Sequence, residues 1–154
     1  MPPFYGIQGV VPDSVAEAGD VEGDGLGDLL VGIRGDMHLL ISGPTGGVMG
    51  LPAVARDEVQ LLDADGDGWR DLVFFTFDSM AQRGEFALYR GGKQGYATTA
   101  SAVLPITNGG QRLAMLGDVD GDGREDVALW SADAQLRDPP GHYDVHHGTA
   151  TGWE

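Results

Sequence analysis

Several chemistries are excluded by what this 154-residue chain lacks. It contains no cysteine, so it can form no disulfide and no thiolate or zinc-thiolate site. No stretch approaches the roughly 20 consecutive apolar residues of a membrane span, so we expect no membrane insertion. The first residues, Met1 to Tyr5, contain neither the basic nor the apolar region of a signal peptide.

Basic residues are also scarce, with nine Lys and Arg against 24 Asp and Glu and a net charge of −15. Without a basic patch, binding to nucleic acid is not expected. The chain has no nucleophile elbow, no phosphate-binding loop and no His-Glu-x-x-His motif. We therefore expect a protein that is not an enzyme; a hydrolase remains the least favoured alternative, because nothing here supplies its catalytic residues.

The chain does contain one nine-residue pattern three times, in loop 1 (20–28), loop 2 (63–71) and loop 3 (118–126). Acidic residues stand at positions 1, 3, 5 and 9 of each loop, and Gly stands at positions 4 and 6. Four carboxylates so close together repel one another unless a cation lies between them. Alternating oxygen ligands and a Gly at the sharp turn are typical of Ca²⁺ loops.

We predict three Ca²⁺ ions per chain, each bound by the acidic side chains and by the backbone carbonyl of position 7. The predicted ligands are Asp20, Glu22, Asp24, Leu26 and Asp28; Asp63, Asp65, Asp67, Trp69 and Asp71; and Asp118, Asp120, Asp122, Arg124 and Asp126. Glu22 replaces Asp at position 3, which leaves the relative affinity of loop 1 open. An EF-hand is excluded, because position 12 is apolar and lies in a β-prone run in every copy.

The loops and the strand after each of them resemble the Ca²⁺ loops of FG-GAP (integrin-α-like) and VCBS repeats. Gly19 and Gly117 match the Gly that precedes the first Asp in this family, whereas Leu62 departs from it. The resemblance implies a β-propeller of four-stranded blades that serves as a binding or adhesion module for a glycan or a protein. We expect loops of this kind to bind Ca²⁺ with weak to moderate affinity, which is typical of extracellular modules. This favours an extracellular or cell-surface location.

Short apolar runs, 26 Gly and weak helical periodicity indicate an all-β fold. Each loop has one predicted strand before it and one after it. A third strand follows at 38–41, 86–89 and 143–146, and an outer strand follows in the first two repeats, near 48–54 and 96–103. We predict one domain, 1–154, with blade 1 at about 13–56, blade 2 at about 57–105 and blade 3 at about 110–154. The outer strand of blade 3 is expected from residues 1–12.

Three blades are fewer than the ~4–8 of ordinary propellers. We therefore expect a head-to-tail homodimer that makes a six-bladed ring, with N-terminal strands exchanged between the copies. A fragment of a larger propeller, a three-bladed monomer or a larger ring remain alternatives. So does a purely structural repeat unit that binds no small ligand.

Two further groups could carry binding chemistry. Trp69 and Trp153 are candidates for stacking on a ligand such as a sugar. His142, Asp144 and His146 would share one face of a strand, which would suit a transition metal, although surface polar residues are commoner there.

Overall fold

The structure is a computed structural model that describes residues 12–21, 24–33, 37–41, 48–51, 59–78, 83–106, 112–132 and 141–154. Within these ranges the chain forms thirteen β-strands and no helix. The predicted all-β class is therefore confirmed. The same ranges contain no helix with the length and apolarity needed to cross a membrane.

The strands form two four-stranded antiparallel sheets, one three-stranded antiparallel sheet and a short hairpin. Sheet 1 contains, in order, β1 (Pro12–Gly19), β2 (Asp28–Ile33), β3 (Met37–Ile41) and β4 (Val48–Gly50). Sheet 2 contains β5 (Gln60–Leu62), β6 (Asp71–Asp78), β7 (Arg83–Tyr89) and β8 (Ala102–Pro105). Sheet 3 contains β9 (Arg112–Gly117), β10 (Asp126–Ala132) and β11 (Gly141–His146), and the hairpin is β12 (Gly148–Thr149) with β13 (Gly152–Trp153).

Each acidic loop connects the first two strands of its sheet, as the sequence predicts. The predicted outer strand near 96–103 is displaced, because β8 begins only at Ala102. Residues before it form a turn instead, in which the Gly95 amide donates to the Gly92 carbonyl over 2.8 Å and the Ala97 amide to the Arg90 carbonyl over 2.8 Å. The outer strand expected from residues 1–12 lies outside the described residues, apart from its last residue at the start of β1.

Sheet 2 is the middle layer, and both of its faces are buried. On one face Val73 and Leu88 belong to the same core cluster as Val127 and Leu129 of sheet 3. On the other face Phe74 is fully buried and stacks on Tyr89, with ring centroids 4.8 Å apart. That second face meets sheet 1 through shared neighbours, which are Leu51, Val59, Leu61 and Tyr96. Continuous apolar runs such as Leu72 to Phe75 are expected where both faces of a strand are covered.

Candidate metal centres

The carboxylate at position 1 organises each loop by accepting backbone amides. One oxygen of Asp63 accepts the Asp67 amide over 3.1 Å, and the other accepts the Gly68 amide over 2.9 Å. The position-5 carboxylate then accepts the amide of position 7, as Asp67 does from Trp69 over 2.8 Å. The same three hydrogen bonds recur around Asp20 and Asp118. A common local fold therefore follows from the shared spacing.

Glycine is required at position 6 of each loop because the backbone there is left-handed. The φ angles are 86° at Gly25, 88° at Gly68 and 88° at Gly123. Side-chain-bearing residues rarely adopt this conformation. The predicted sharp turn is confirmed at all three positions.

The carboxylate at position 9 is buried in every loop, at 1% exposure for Asp28, 1% for Asp71 and 0% for Asp126. One oxygen accepts the amide of position 2, over 2.8 Å from Val21, 3.0 Å from Ala64 and 2.9 Å from Val119. In sheets 2 and 3 the other oxygen accepts a more distant amide, from Gly91 or Gly148. These contacts connect each loop to the start of the strand that follows it.

Carboxylate oxygens converge in the loops as a divalent cation would require. Asp63, Asp65 and Asp71 bring one oxygen each within 4.8 Å of one another, and Asp118, Asp120 and Asp122 do the same. Ligands at 2.3–2.6 Å from a Ca²⁺ ion are at most about 5 Å apart, so the oxygen sets fit that ion. The carbonyl role predicted for Leu26, Trp69 and Arg124 stays a prediction, and Glu22 lies outside the described residues.

The pKa values of the position-9 carboxyls in loops 2 and 3 are shifted in opposite directions. Burial raises the pKa of Asp71 to about 6, and the nearby Asp67 and Asp63 add to this, although the amides of Gly91 and Ala64 oppose it. Burial alone would also raise the pKa of Asp126. There the amides of Gly148 and Val119, together with His147, outweigh it and hold the pKa below its usual value.

Basic side chains near loops 2 and 3 contact the predicted ligands. The Arg90 guanidinium pairs with Asp65 and also donates to the Ala150 carbonyl over 2.8 Å. In loop 3, Arg124 contacts Asp122 at 2.5 Å, and Nδ1 of His147 lies 3.3 Å from Asp120 and 3.5 Å from Asp126. Sequence reasoning missed Arg90 and His147 as neighbours of the loops, because each lies more than 20 residues from the carboxylate it contacts.

Loops 2 and 3 are also bonded to each other. The Asp63 amide donates to the Glu125 carboxylate over 3.1 Å, and the Glu125 amide donates to the Asp63 carbonyl over 2.9 Å. The other oxygen of Glu125 accepts from Arg70 over 2.6 Å. Position 8, for which the sequence pattern predicts no metal ligand, therefore connects loops 2 and 3.

Trp69 lines a groove of about 510 Å³ between loops 1 and 2. The other residues that line it are Gly19, Asp20, Asp67, Gly68, Arg70 and Lys93. Trp153 instead packs against the core shared by sheets 2 and 3. His142 contacts Asp144 at 3.4 Å, and both side chains are at least half exposed.

Comparison with protein families supports the interpretation of the loops. Residues 63–129, which include loops 2 and 3, match the family model described as an FG-GAP-like repeat. This segment of the chain is similar to FG-GAP-like repeats, and the predicted resemblance is confirmed. A search of curated proteins gives no significant match to the chain.

Proposed function

We propose that the protein is a Ca²⁺-binding, FG-GAP-type β-propeller module that binds a glycan or a protein and carries out no catalysis. The observation that supports it most is the convergence of three carboxylate oxygens within 4.8 Å in loop 2 and again in loop 3. Half of the 24 acidic residues are predicted ligands, so Ca²⁺ would relieve much of the charge repulsion in the folded chain. Each ion would fasten the first two strands of its sheet.

Calcium titration by isothermal calorimetry tests the metal assignment directly. We expect three sites per chain, and Mg²⁺ should compete poorly because it prefers a smaller octahedral shell and keeps its water. Asp120→Asn should remove or weaken one site, because Asp120 supplies one of the converging oxygens of loop 3. Asp144→Asn is the matched control, since Asp144 is half exposed and lies on β11 outside the loops. Unchanged titration of Asp120→Asn would contradict the assignment.

The groove beside Trp69 is the proposed ligand site. An indole ring offers a flat apolar surface for a sugar ring, while Arg70 and Lys93 offer hydrogen-bond donors at the same groove. A glycan array, followed by titration of any hit against Trp69→Ala, tests this proposal. If the protein binds Ca²⁺ but no glycan, a protein ligand or the purely structural alternative is favoured.

The proposal includes assembly and location. Two chains would join head to tail as a six-bladed ring, with the N-terminal segment of each supplying a strand to the other. The module would act outside the cell or at its surface, where free Ca²⁺ is high enough for loops of modest affinity.

A further inference from the structure

The two faces of a sheet pack against different sheets: one faces the preceding sheet in the chain and the other faces the following sheet. The front face is defined by Leu72 and Phe74 in sheet 2 and by Val127 and Leu129 in sheet 3. The back face is defined by the alternate residues, such as Val73 in sheet 2 and Leu30 in sheet 1. The front face of sheet 3 packs on the back face of sheet 2 in one core cluster. The front face of sheet 2 packs towards the back face of sheet 1.

This front-to-back interface is therefore made twice within one chain. No other described sheet packs on the back of sheet 3 or on the front of sheet 1. On these two faces the central-strand residues Ala128 and Val31 are only 4% and 5% exposed, and the exposed apolar residues lie on the neighbouring strands. On the back of sheet 3, Tyr143 and Val145 are 56% and 48% exposed. They pair with Trp130 and Ala128 and so lie on the same face as those residues. On the front of sheet 1, Val15 pairs with Val31 and is 58% exposed.

Each of loops 1 and 2 contacts the following loop, as each sheet packs against the following sheet. A Cβ added to Gly66 of loop 2 would lie 2.8 Å from the Gly123 carbonyl of loop 3, and one added to Gly19 would lie 3.2 Å from Cγ of Arg70. The equivalent positions in front of and within loop 3, Gly117 and Gly121, have no neighbour within 4 Å. Each loop thus receives the next loop on one side, and loop 3 has that side open.

The opposite side of the contact is open on loop 1. Its position 8 is Gly27, which has nothing within 4 Å of an added Cβ, whereas the position-8 residue of loop 3, Glu125, bonds to loop 2. Its position 7 is Leu26, which is 48% exposed, whereas Trp69 at the same position of loop 2 lines the groove shared with loop 1. The open side of loop 1 corresponds to the side by which loop 3 contacts loop 2, and the open side of loop 3 corresponds to the side of loop 2 that receives it.

We propose that a second copy of this chain covers both open surfaces. The front of sheet 1 and loop 1 of one copy pack on the back of sheet 3 and loop 3 of the other, which continues an interface that the chain already makes internally. In each contact of this kind two different surfaces meet, and two such contacts related by a two-fold axis close a cyclic dimer. The inference rests on the proposed propeller module and names the surfaces through which its copies meet.

Mass in solution with Ca²⁺ present is the first test, by light scattering coupled to size-exclusion chromatography. The expected result is twice the 16.2 kDa mass of the chain. Tyr143→Glu and Val145→Glu place a charge in the proposed interface and should yield monomer. Both side chains are about half exposed in the single chain, so the fold itself should tolerate the changes. Val103→Glu is the matched control, because Val103 is also 48% exposed but lies on β8 of the middle sheet; it should remain dimeric.

Chemical cross-linking tests the orientation of the two copies. The chain has no cysteine, so Val15→Cys and Val145→Cys each introduce one reactive thiol. Packed sheets lie about 10 Å apart, so a bis-maleimide of similar reach should join the two variants when they are mixed. Neither variant alone should cross-link strongly to itself. Self-linking without mixed linking would indicate that the same surface of the two copies meets itself, and it would overturn the head-to-tail arrangement.

The failure of this inference can be separated from failure of the proposed function. A monomeric protein that still binds Ca²⁺ in the calorimeter would overturn the dimer and leave the metal module standing. Open polymers of varied length would also overturn it, because the interface would then not close on two copies. A dimer that binds no Ca²⁺ would retain the interface and remove the metal assignment.

Discussion

Loops 2 and 3 have the same acidic spacing and the same internal hydrogen bonds, yet the pKa values of their buried carboxyls are shifted in opposite directions. Asp71 has a pKa raised to about 6, mainly through burial, with Asp67 and Asp63 adding repulsion. Asp126 is also buried and also accepts two amides, but His147 adds its attraction there and the pKa lies below the usual range. The nine-residue pattern thus determines the shape of the loop, while residues outside the pattern decide how readily its carboxyl ionises.

The cations near the two loops differ in a related way. In loop 2 the Asp65 carboxylate is paired with a permanent positive charge, because the Arg90 guanidinium does not lose its proton at ordinary pH. Loop 3 has His147 beside Asp120 and Asp126, and an imidazole nitrogen can itself bind a metal ion, which a guanidinium cannot do. We therefore expect Ca²⁺ to compete with a guanidinium for the position-3 carboxylate of loop 2, Asp65, but not for that of loop 3, Asp120. In loop 3 the competing guanidinium is that of Arg124, at Asp122.

The largest expected contrast comes from replacing the buried carboxyls with amides. At pH 7 in chelator, Asp126→Asn should cost about 3 kcal/mol of unfolding free energy, because it removes an acceptor from a site that favours the ionised form. Asp71→Asn should cost about 1–2 kcal/mol, because folding there disfavours the charge that the amide removes. Urea denaturation followed by tryptophan fluorescence measures both. Equal penalties would show that the two environments are equivalent.

The pH dependence of those penalties should run in opposite directions. A raised pKa means that folded Asp71 holds its proton more tightly than the unfolded chain does, so its contribution is present at pH 4 and lost as pH rises through about 6. The penalty of Asp71→Asn should therefore be larger at pH 4 than at pH 7. A lowered pKa reverses the sign, so the penalty of Asp126→Asn should shrink as pH falls below 4. Urea denaturation of each variant and of the parent protein, in chelator and from below pH 4 to pH 7, measures how both penalties depend on pH.

In these two loops, the contacts within the nine residues could be predicted from the sequence and the contacts with distant segments could not. Their internal geometry was predictable, because Asp at positions 1, 5 and 9 and Gly at position 6 bond mostly within nine residues of chain. The contacts of Arg90 with Asp65 and of His147 with Asp120 were not, since they depend on how strands distant in sequence pack. The late start of β8 has a similar origin, because the turn after Arg90 extends to Ala97 through a backbone bond that no motif signals.

Removing the competing cation should bring loop 2 closer to loop 3. Arg90→Gln frees Asp65 for metal, so the affinity of one Ca²⁺ site should rise about three- to tenfold, a gain of roughly 1 kcal/mol. The variant also loses the hydrogen bond to the Ala150 carbonyl, so metal-free stability should fall by about 1 kcal/mol. Calorimetry in Ca²⁺ and denaturation in chelator separate the two effects. Arg112→Gln is the control, because Arg112 is exposed on β9.

The smallest effect is expected at position 7, where the loops differ most in side chain but should offer the same ligand atom. If the backbone carbonyl binds the ion, Trp69→Ala should change Ca²⁺ affinity less than about threefold. Arg124→Ala should tighten binding slightly, because Arg124 contacts the Asp122 carboxylate at 2.5 Å and its loss frees that oxygen. A tenfold loss in Trp69→Ala would show that the indole supports the loop itself. Unchanged Ca²⁺ binding in that variant is also what permits Trp69 to be tested separately as a ligand contact in the groove between loops 1 and 2.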